Sequence, residues 1–260
     1  MRIFMIGDVY GAPGKDIVQR RLGDFRRERK VDFVVANVEN LSGGAGILPE
    51  DAAALFESGV DVMTSGNHAF DKREVIELMA TEDRLLRPAN YPGGVPGRGL
   101  WIGDAKWGVS IAVINVMGRV NLPRTDCQFR TADELLRGIG DRADVIVVDH
   151  HAEATSEKLA FARHLDGRVS AVVGTHTHVQ TADEEVLPGG AAYITDLGMT
   201  GAHAGVIGMD AARSIERFLT GVSSRSIGAE GDVRLNGAII DVNPHTRQAN
   251  AISRVSLRGL

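Results

Sequence analysis

Short apolar runs in this chain stop, one after another, at a carboxylate, an amide or an imidazole. Ile3 to Ile6 ends in Gly7-Asp8, Phe33 to Val38 in Glu39-Asn40, and Val60 to Thr64 in Ser65-Gly66-Asn67-His68. Val145 to Val148 ends in Asp149-His150-His151, and Val169 to Val173 in Gly174-Thr175-His176-Thr177-His178. Runs this short, bounded by turn residues, read as buried strands. Helical patterns lie between them. One covers 13–29, opened by Pro13, whose missing N–H costs little in a first turn. Others run from Pro49 through Ser58, closed by Gly59, and over 71–80, 131–140 and 155–165, the last capped by Thr155 or Ser156. Further strands are expected at 109–116, 192–195, 233–241 and 249–256, with a helix near 209–219. Residues 87–99, with Pro88, Pro92 and Pro96 among glycines, read as a loop that shapes a small cap. Alternation of this kind predicts an α/β fold. Ligands of open α/β sheets bind at the carboxyl ends of the strands, so five segments would deliver polar groups to one rim.

The rest of the composition narrows the classes. The chain has 260 residues, 43% hydrophobic and 24% charged, enough to bury a core without staples. It reads as a single domain over 1–260. Its only cysteine, Cys127, leaves no intrachain disulfide and no cysteine-rich zinc site. The net charge is −5, and the basic run from Arg20 to Lys30 is interrupted by Asp24 and Glu28. That run reads as a solvated helix face, so no stable nucleic-acid complex is expected. No apolar stretch approaches the ~20 residues that cross a bilayer, and the opening apolar run is too short for a secretory signal. A cytoplasmic protein with no membrane partner is expected, and a homo-oligomer stays open. The sequence lacks a P-loop, since Val9 and Asp16 stand where a glycine and a Ser/Thr are needed. It also lacks a dinucleotide fingerprint and a nucleophile elbow.

The rim chemistry points to metal. Asp8, Glu39, Asn40, Asn67, His151, His176 and His178 offer carboxylate, amide and imidazole donors. That donor set suits Fe, Mn, Zn or Ni. Any one of these residues alone is an ordinary turn or surface residue. The same rim position in five segments is not. One ion takes roughly four to six ligands, so seven candidates suggest two ions sharing a carboxylate. Such a pair lowers the pKa of a water and clamps both sides of a displacement at phosphorus. Of the neighbours His150 and His151, only one can face the rim site; spacing alone does not choose.

GDVYG at 7–11, VEN at 38–40, GNHAFD at 66–71, HAEATSE at 151–157 and GTHTHVQTAD at 174–183 carry a resemblance. The chain resembles the calcineurin-like metallophosphoesterases, and within them the bacterial YmdB-like subfamily, over nearly its whole length. The resemblance implies a four-layer α/β/β/α sandwich and a dinuclear centre, most often iron, with manganese or zinc as alternatives. It implies hydrolysis of phosphodiesters, 2′,3′-cyclic nucleotides among them. It implies one ion on Asp8, Glu39, Asn40 and His178 and another on Glu39, Asn67, His151 and His176, with Glu39 bridging. It chooses His151 over His150, and His68 as the proton donor to the leaving oxygen. Most of the superfamily has Asp-x-His in the first motif; here Tyr10 stands in the histidine's place, and Asn40 fills the gap. A phosphomonoesterase or nuclease on the same core, or a regulatory nucleotide-binding or RNA-processing-partner-binding protein, is the alternative. Arg119, Arg130 and Arg168 are candidate phosphate holders, the loop 42–46 a candidate backbone contact. The segment 200–205 departs from the subfamily pattern at Ala202 and Ala204.

Overall fold

A computed structural model describes residues 1–222 and 227–259. Two six-stranded sheets form its centre. The first runs β10 (Gly201–Ala202), β11 (Val233–Asn243), β1 (Arg2–Ile6), β2 (Phe33–Asn37), β3 (Val62–Thr64), with β12 (Gln248–Arg258) also paired to β11. The second runs β4 (Leu100–Asp104), β5 (Ser110–Met117), β6 (Val145–His151), β7 (Ala171–Thr175), β9 (Ala192–Ile194), β8 (Glu185–Val186). The strands that carry the polar signatures, β1, β2 and β3 in the first sheet and β6 and β7 in the second, run parallel to one another within each sheet. The helices are α1 (Gly11–Glu28), α2 (Pro49–Glu57), α3 (Val75–Thr81), α4 (Gln128–Ile139), α5 (Thr155–Leu165) and α6 (Ala211–Thr220).

Side-chain parity sets the layers. Ile3 and Met5 pack between the sheets with Val113, Val145, Val147 and Val173. Phe4 and Ile6 point the other way, into a core with Val18 and Leu22 of α1 and Leu55 of α2. Ile146 and Val148 do the same on the far side, against Phe161 and Leu165 of α5. The result is the α/β/β/α sandwich expected of a metallophosphoesterase. Strands buried on both faces read as unbroken apolar runs, which is why the sequence shows them so plainly.

The boundaries differ where tertiary contacts override local pattern. The strand expected over 145–148 continues to His151, because Asp149, His150 and His151 pair with Asn115 to Met117 on one side and Val173 to Thr175 on the other. The helix expected over 71–80 begins only at Val75, since His68 to Asp71 form a turn. Helix α1 starts at Gly11, so Pro13 lies within its first turn rather than at its opening. Strand β4 was not legible: it is an edge strand, ending at Gly103 and Asp104. Most of the basic run is exposed as expected, but Arg26 is drawn in by Asp61 and the carbonyls of Gly59 and Asp32. No described helix is long and apolar enough to cross a membrane.

Candidate metal centre

All seven candidate ligands lie at the rim end of the parallel strands, and two clusters form there. In the first, Glu39, His151 and His176 each bring one ligand atom within 4.8 Å of the others. His151 Nε2 is 3.2 Å from Glu39 Oε1 and 3.1 Å from Asn67 Oδ1. In the second, His178 Nε2 lies 3.9 Å from Asp8 Oδ1 and 3.1 Å from Asn40 Nδ2. Asn40 Nδ2 is also 3.1 Å from Glu39 Oε1, so Glu39 touches both clusters. Presenting the Asn40 oxygen instead requires only a half-turn of its amide. Tyr10 gives no donor here; its hydroxyl goes to Met209 Sδ at 2.8 Å and its ring meets His178 edge-on.

The local backbone is shaped for this approach. A Cβ on Gly66 would fall 2.3 Å from His151 Nε2 and 2.4 Å from Glu39 Oε2, so only glycine permits the turn before Asn67. His176 and His178 adopt φ of 104° and 66°, a region unfavourable for residues with a Cβ. Asp196 holds that turn: its Oδ2 accepts from Thr177 N and Oγ1 at 3.1 and 2.8 Å, and its Oδ1 from Gly198 N at 2.8 Å. The buried Lys158 Nζ is 2.7 Å from the same Oδ2.

The groups fit a cation. Asp8 is fully buried and its Oδ1 has no hydrogen-bond partner, a costly state for a carboxylate unless positive charge meets it. Burial pushes the Asp8 carboxyl up to about 6, against the pull of His178 and His151. Burial also pushes Glu39 up, but the charge and hydrogen bond of His151 outweigh it and hold Glu39 at about 2. Burial disfavours the His151 imidazolium, yet Glu39 overrides that and raises it to about 9. Burial and the neighbouring His151 charge drive His176 down to about 3, leaving its lone pair free at neutral pH.

These shifts make cation binding depend on pH. A cation must displace the proton of His151, so its apparent affinity should climb roughly tenfold per pH unit between about 6.5 and 9. The His151–Glu39 pair stabilises the metal-free fold fully between about 4.5 and 6.5, loses that contribution as pH rises through 9, and loses it again as pH falls through about 2. Titration with Mn²⁺ at pH 7 and 8 should release about one proton per His151 engaged. A pH-independent affinity over that interval would remove His151 from the ligand set.

His151 is oriented from behind. Its Nδ1 lies 2.9 Å from Thr175 Oγ1, and Thr175 donates to Asp149 Oδ1 at 2.7 Å. The hydroxyl has one proton and gives it to the carboxylate, so it accepts from His151 Nδ1–H. Nε2 is therefore the nitrogen that can give up its proton. Asp149 is itself held by Thr64 Oγ1 and Asn37 Nδ2 from the other sheet. Thr175→Val should lower metal affinity about 10–100-fold, read by chelator competition, while the fold stays intact. An unchanged affinity would show the relay is idle. His150, one residue away, faces the helix layer, with its ring 4.2 Å from Phe161 and neither nitrogen partnered. The strand parity thus turns His151, not His150, to the rim.

His68 stands beside the cluster. Its backbone N–H donates to Glu39 Oε2 at 3.0 Å and its Nδ1 is 2.7 Å from Asp71 Oδ2. Asp71, and Glu153 at 3.2 Å from His176 Nε2, lie inside the quoted motifs and carried no expected role. The phosphate candidates fare differently. Arg168 pairs with Asp133 at 2.7 Å, ahead of β7 and so at the opposite end of that strand from His176. Arg119 and Arg130 are exposed, beyond the rim end of β5. The 42–46 loop closes on itself, with Ser42 N–H donating to Gly46 O and Gly46 N–H to Glu39 O. The 87–99 loop instead brings the Tyr91 hydroxyl to 3.4 Å from Gly66 O.

Residues 4–255 match the family model described as YmdB-like protein. The chain belongs to the YmdB-like family. It is 46% identical to a Bacillus subtilis (strain 168) protein named 2′,3′-cyclic-nucleotide 2′-phosphodiesterase, over 98% of this chain and 96% of that one. A crystal structure of a hypothetical protein from Thermus thermophilus is 41% identical, with TM-score 0.93 and 99% of each chain covered. A Mycoplasma pneumoniae structure described as a novel phosphatase is 31% identical, with TM-score 0.93, covering 99% of this chain and 93% of that one. As a YmdB-like protein the chain is a hydrolase of the metallophosphoesterase type. The rim clusters lie within the part of the chain that the family model spans.

Proposed function

We propose that the chain is a metal-dependent phosphodiesterase acting on 2′,3′-cyclic nucleotides at a dinuclear centre. The observation that carries this is the buried, unpartnered Asp8 Oδ1 beside the converging Glu39, His151 and His176. Asp8, Glu39, Asn40 and His178 would hold one ion; Glu39, Asn67, His151 and His176 the other. Iron is the ion we assign, manganese and zinc being chemically compatible. Two cations there supply charge to phosphate oxygens and acidify water. The chain's own residues do the rest. Glu39, kept ionised, balances the charge. Asp71 engages Nδ1 of His68 and fixes its ring, which leaves Nε2 to give a proton to the departing ribose oxygen. The cyclic-nucleotide assignment takes its support from the name of the Bacillus subtilis relative.

The test is hydrolysis of 2′,3′-cyclic AMP by metal-loaded protein, with chelated protein and Asn67→Ala as controls. Turnover that vanishes in both controls supports the reading. Turnover that survives chelation overturns it. The Mycoplasma pneumoniae relative, described as a phosphatase, favours a second arm. If p-nitrophenyl phosphate is cleaved and no cyclic nucleotide is, the same core serves a phosphomonoesterase.

A further inference from the structure

A cavity of about 310 Å³ opens beside the metal centre, between the turn at 178–180, the segment 199–207 and the rim ends of β11 and β12. His178 forms its shared wall. One edge of that imidazole faces Asp8 and Asn40; the other donates Nδ1–H to Ile207 O at 2.9 Å. The cavity is at the lower end of the ~300–1,000 Å³ range of ligand pockets, room for one heterocycle.

Among its polar lining side chains, Asn236 is the one with an unpartnered buried atom. It is 3% exposed, and its Oδ1 has no hydrogen-bond partner. Its Nδ2 has only His203 Nε2 nearby, at 3.4 Å. His203 Nε2 is 3.0 Å from Met199 O, and a carbonyl only accepts, so Nε2 already carries its proton and cannot accept from Asn236. A half-turn of the amide would let its oxygen accept from that Nε2–H and would leave the NH₂ without an acceptor, so in either orientation one end of this buried amide goes unsatisfied, which costs free energy unless a ligand pairs with it. The strand places this amide at the centre: Asn236 O accepts from Gly7 N–H, the residue before Asp8, at 3.0 Å.

The surroundings select the ligand. Arg234 faces the cavity, but both oxygens of Asp232 hold one edge of its guanidinium, so that edge is taken and not free for a second phosphate. It still offers a flat face for stacking. Met199 is buried in the wall, and Val179 and Ile207 are 61% and 53% exposed at the mouth. A flat, uncharged ring with a donor beside an acceptor matches this, and an asparagine amide pairs that way with the N6 and N7 edge of adenine.

We propose that this cavity is the nucleobase subsite and that Asn236 selects adenine. The inference rests on the cyclic-nucleotide reading above. KM for 2′,3′-cyclic AMP should be about tenfold below that for 2′,3′-cyclic GMP, within the discrimination of one such pair. Asn236→Leu should erase that ratio, leave kcat within about twofold, and leave bis(p-nitrophenyl) phosphate kinetics unchanged, which also controls for folding. Val179→Trp, at an exposed position, should raise KM for both nucleotides by closing the mouth. Independently of turnover, adenosine should perturb the NMR spectrum of the metal-free protein and fail to do so in Asn236→Leu. Equal KM values for the two nucleotides, or a ratio that survives Asn236→Leu, overturns the subsite while leaving the phosphodiesterase standing. If no cyclic nucleotide is turned over, the adenosine titration alone decides the subsite, and no binding there rejects it.

Discussion

His68→Ala should lose about 10²–10⁴ of its turnover on a 2′,3′-cyclic nucleotide and keep nearly all of it on a p-nitrophenyl ester. The two substrates differ in what leaves. A ribose oxygen departs as a strongly basic alkoxide unless it is protonated on the way out; nitrophenolate needs no proton. His68 is suited to supply one. Its main chain is tied to Glu39 Oε2 at 3.0 Å, which holds the base of the side chain beside the centre. Its Nδ1 is engaged by Asp71 at 2.7 Å, which fixes the ring and keeps Nε2 for the leaving group. Asp71→Asn should therefore fall between wild type and His68→Ala on the cyclic substrate alone. Metal content must stay unchanged in both variants, because neither side chain is placed among the ligands. Equal loss on both substrates would turn His68 into a phosphate-orienting group, and full activity on the cyclic substrate would end the donor role.

How far the sequence reveals this site depends on which face each residue shows. The rim was legible because β1, β2, β6 and β7 are buried on both faces, so a polar residue stands out as the first break in an apolar run. From spacing alone the choice between His150 and His151 was an either/or; the resemblance chose His151. Which of them faces the rim follows from the face that His151 shares with Val145, Val147 and Asp149, once β6 lies between β5 and β7. The residues behind the candidate ligands were not legible at all. Asp149 and Thr175 are 26 positions apart, Lys158 and Asp196 are 38 apart, and no spacing rule joins them. A lysine on an amphipathic helix reads as surface, yet Lys158 is 1% exposed. Strands β8 and β10, two residues each, are too short for any periodicity. The Asn236 amide was hidden for a related reason: in sequence it is one polar residue in a late strand, and only the folded chain shows that its Oδ1 has no partner.

The buried ion pair makes the second large prediction. Lys158→Met should destabilise the metal-free protein by about 3–5 kcal/mol, the cost of leaving one charge of such a pair without its partner. For a chain of this size the thermal midpoint should then fall by roughly 6–20 °C. The loss has a direction as well as a size. Asp196 lies beneath the His176–Thr177–His178 turn and accepts two bonds from Thr177. The turn needs that support because both histidines have positive φ, a conformation that persists only when its surroundings impose it. With Lys158 gone, Asp196 can regain water or a proton only by withdrawing from Thr177. His176 and His178 belong to different clusters, so both should weaken together. Metal titration of Lys158→Met should thus show reduced affinity at both sites, and added cation should recover part of the lost midpoint, since it binds only the folded chain. Asp196→Asn in the Lys158→Met background removes the stranded charge and should restore much of the stability. It should restore the affinity only in small part, because an amide has one oxygen and cannot accept from both Thr177 and Gly198 N–H as the carboxylate does. Stability and affinity recovering together would mean that the pair acts only through charge and that the strained turn stands without it.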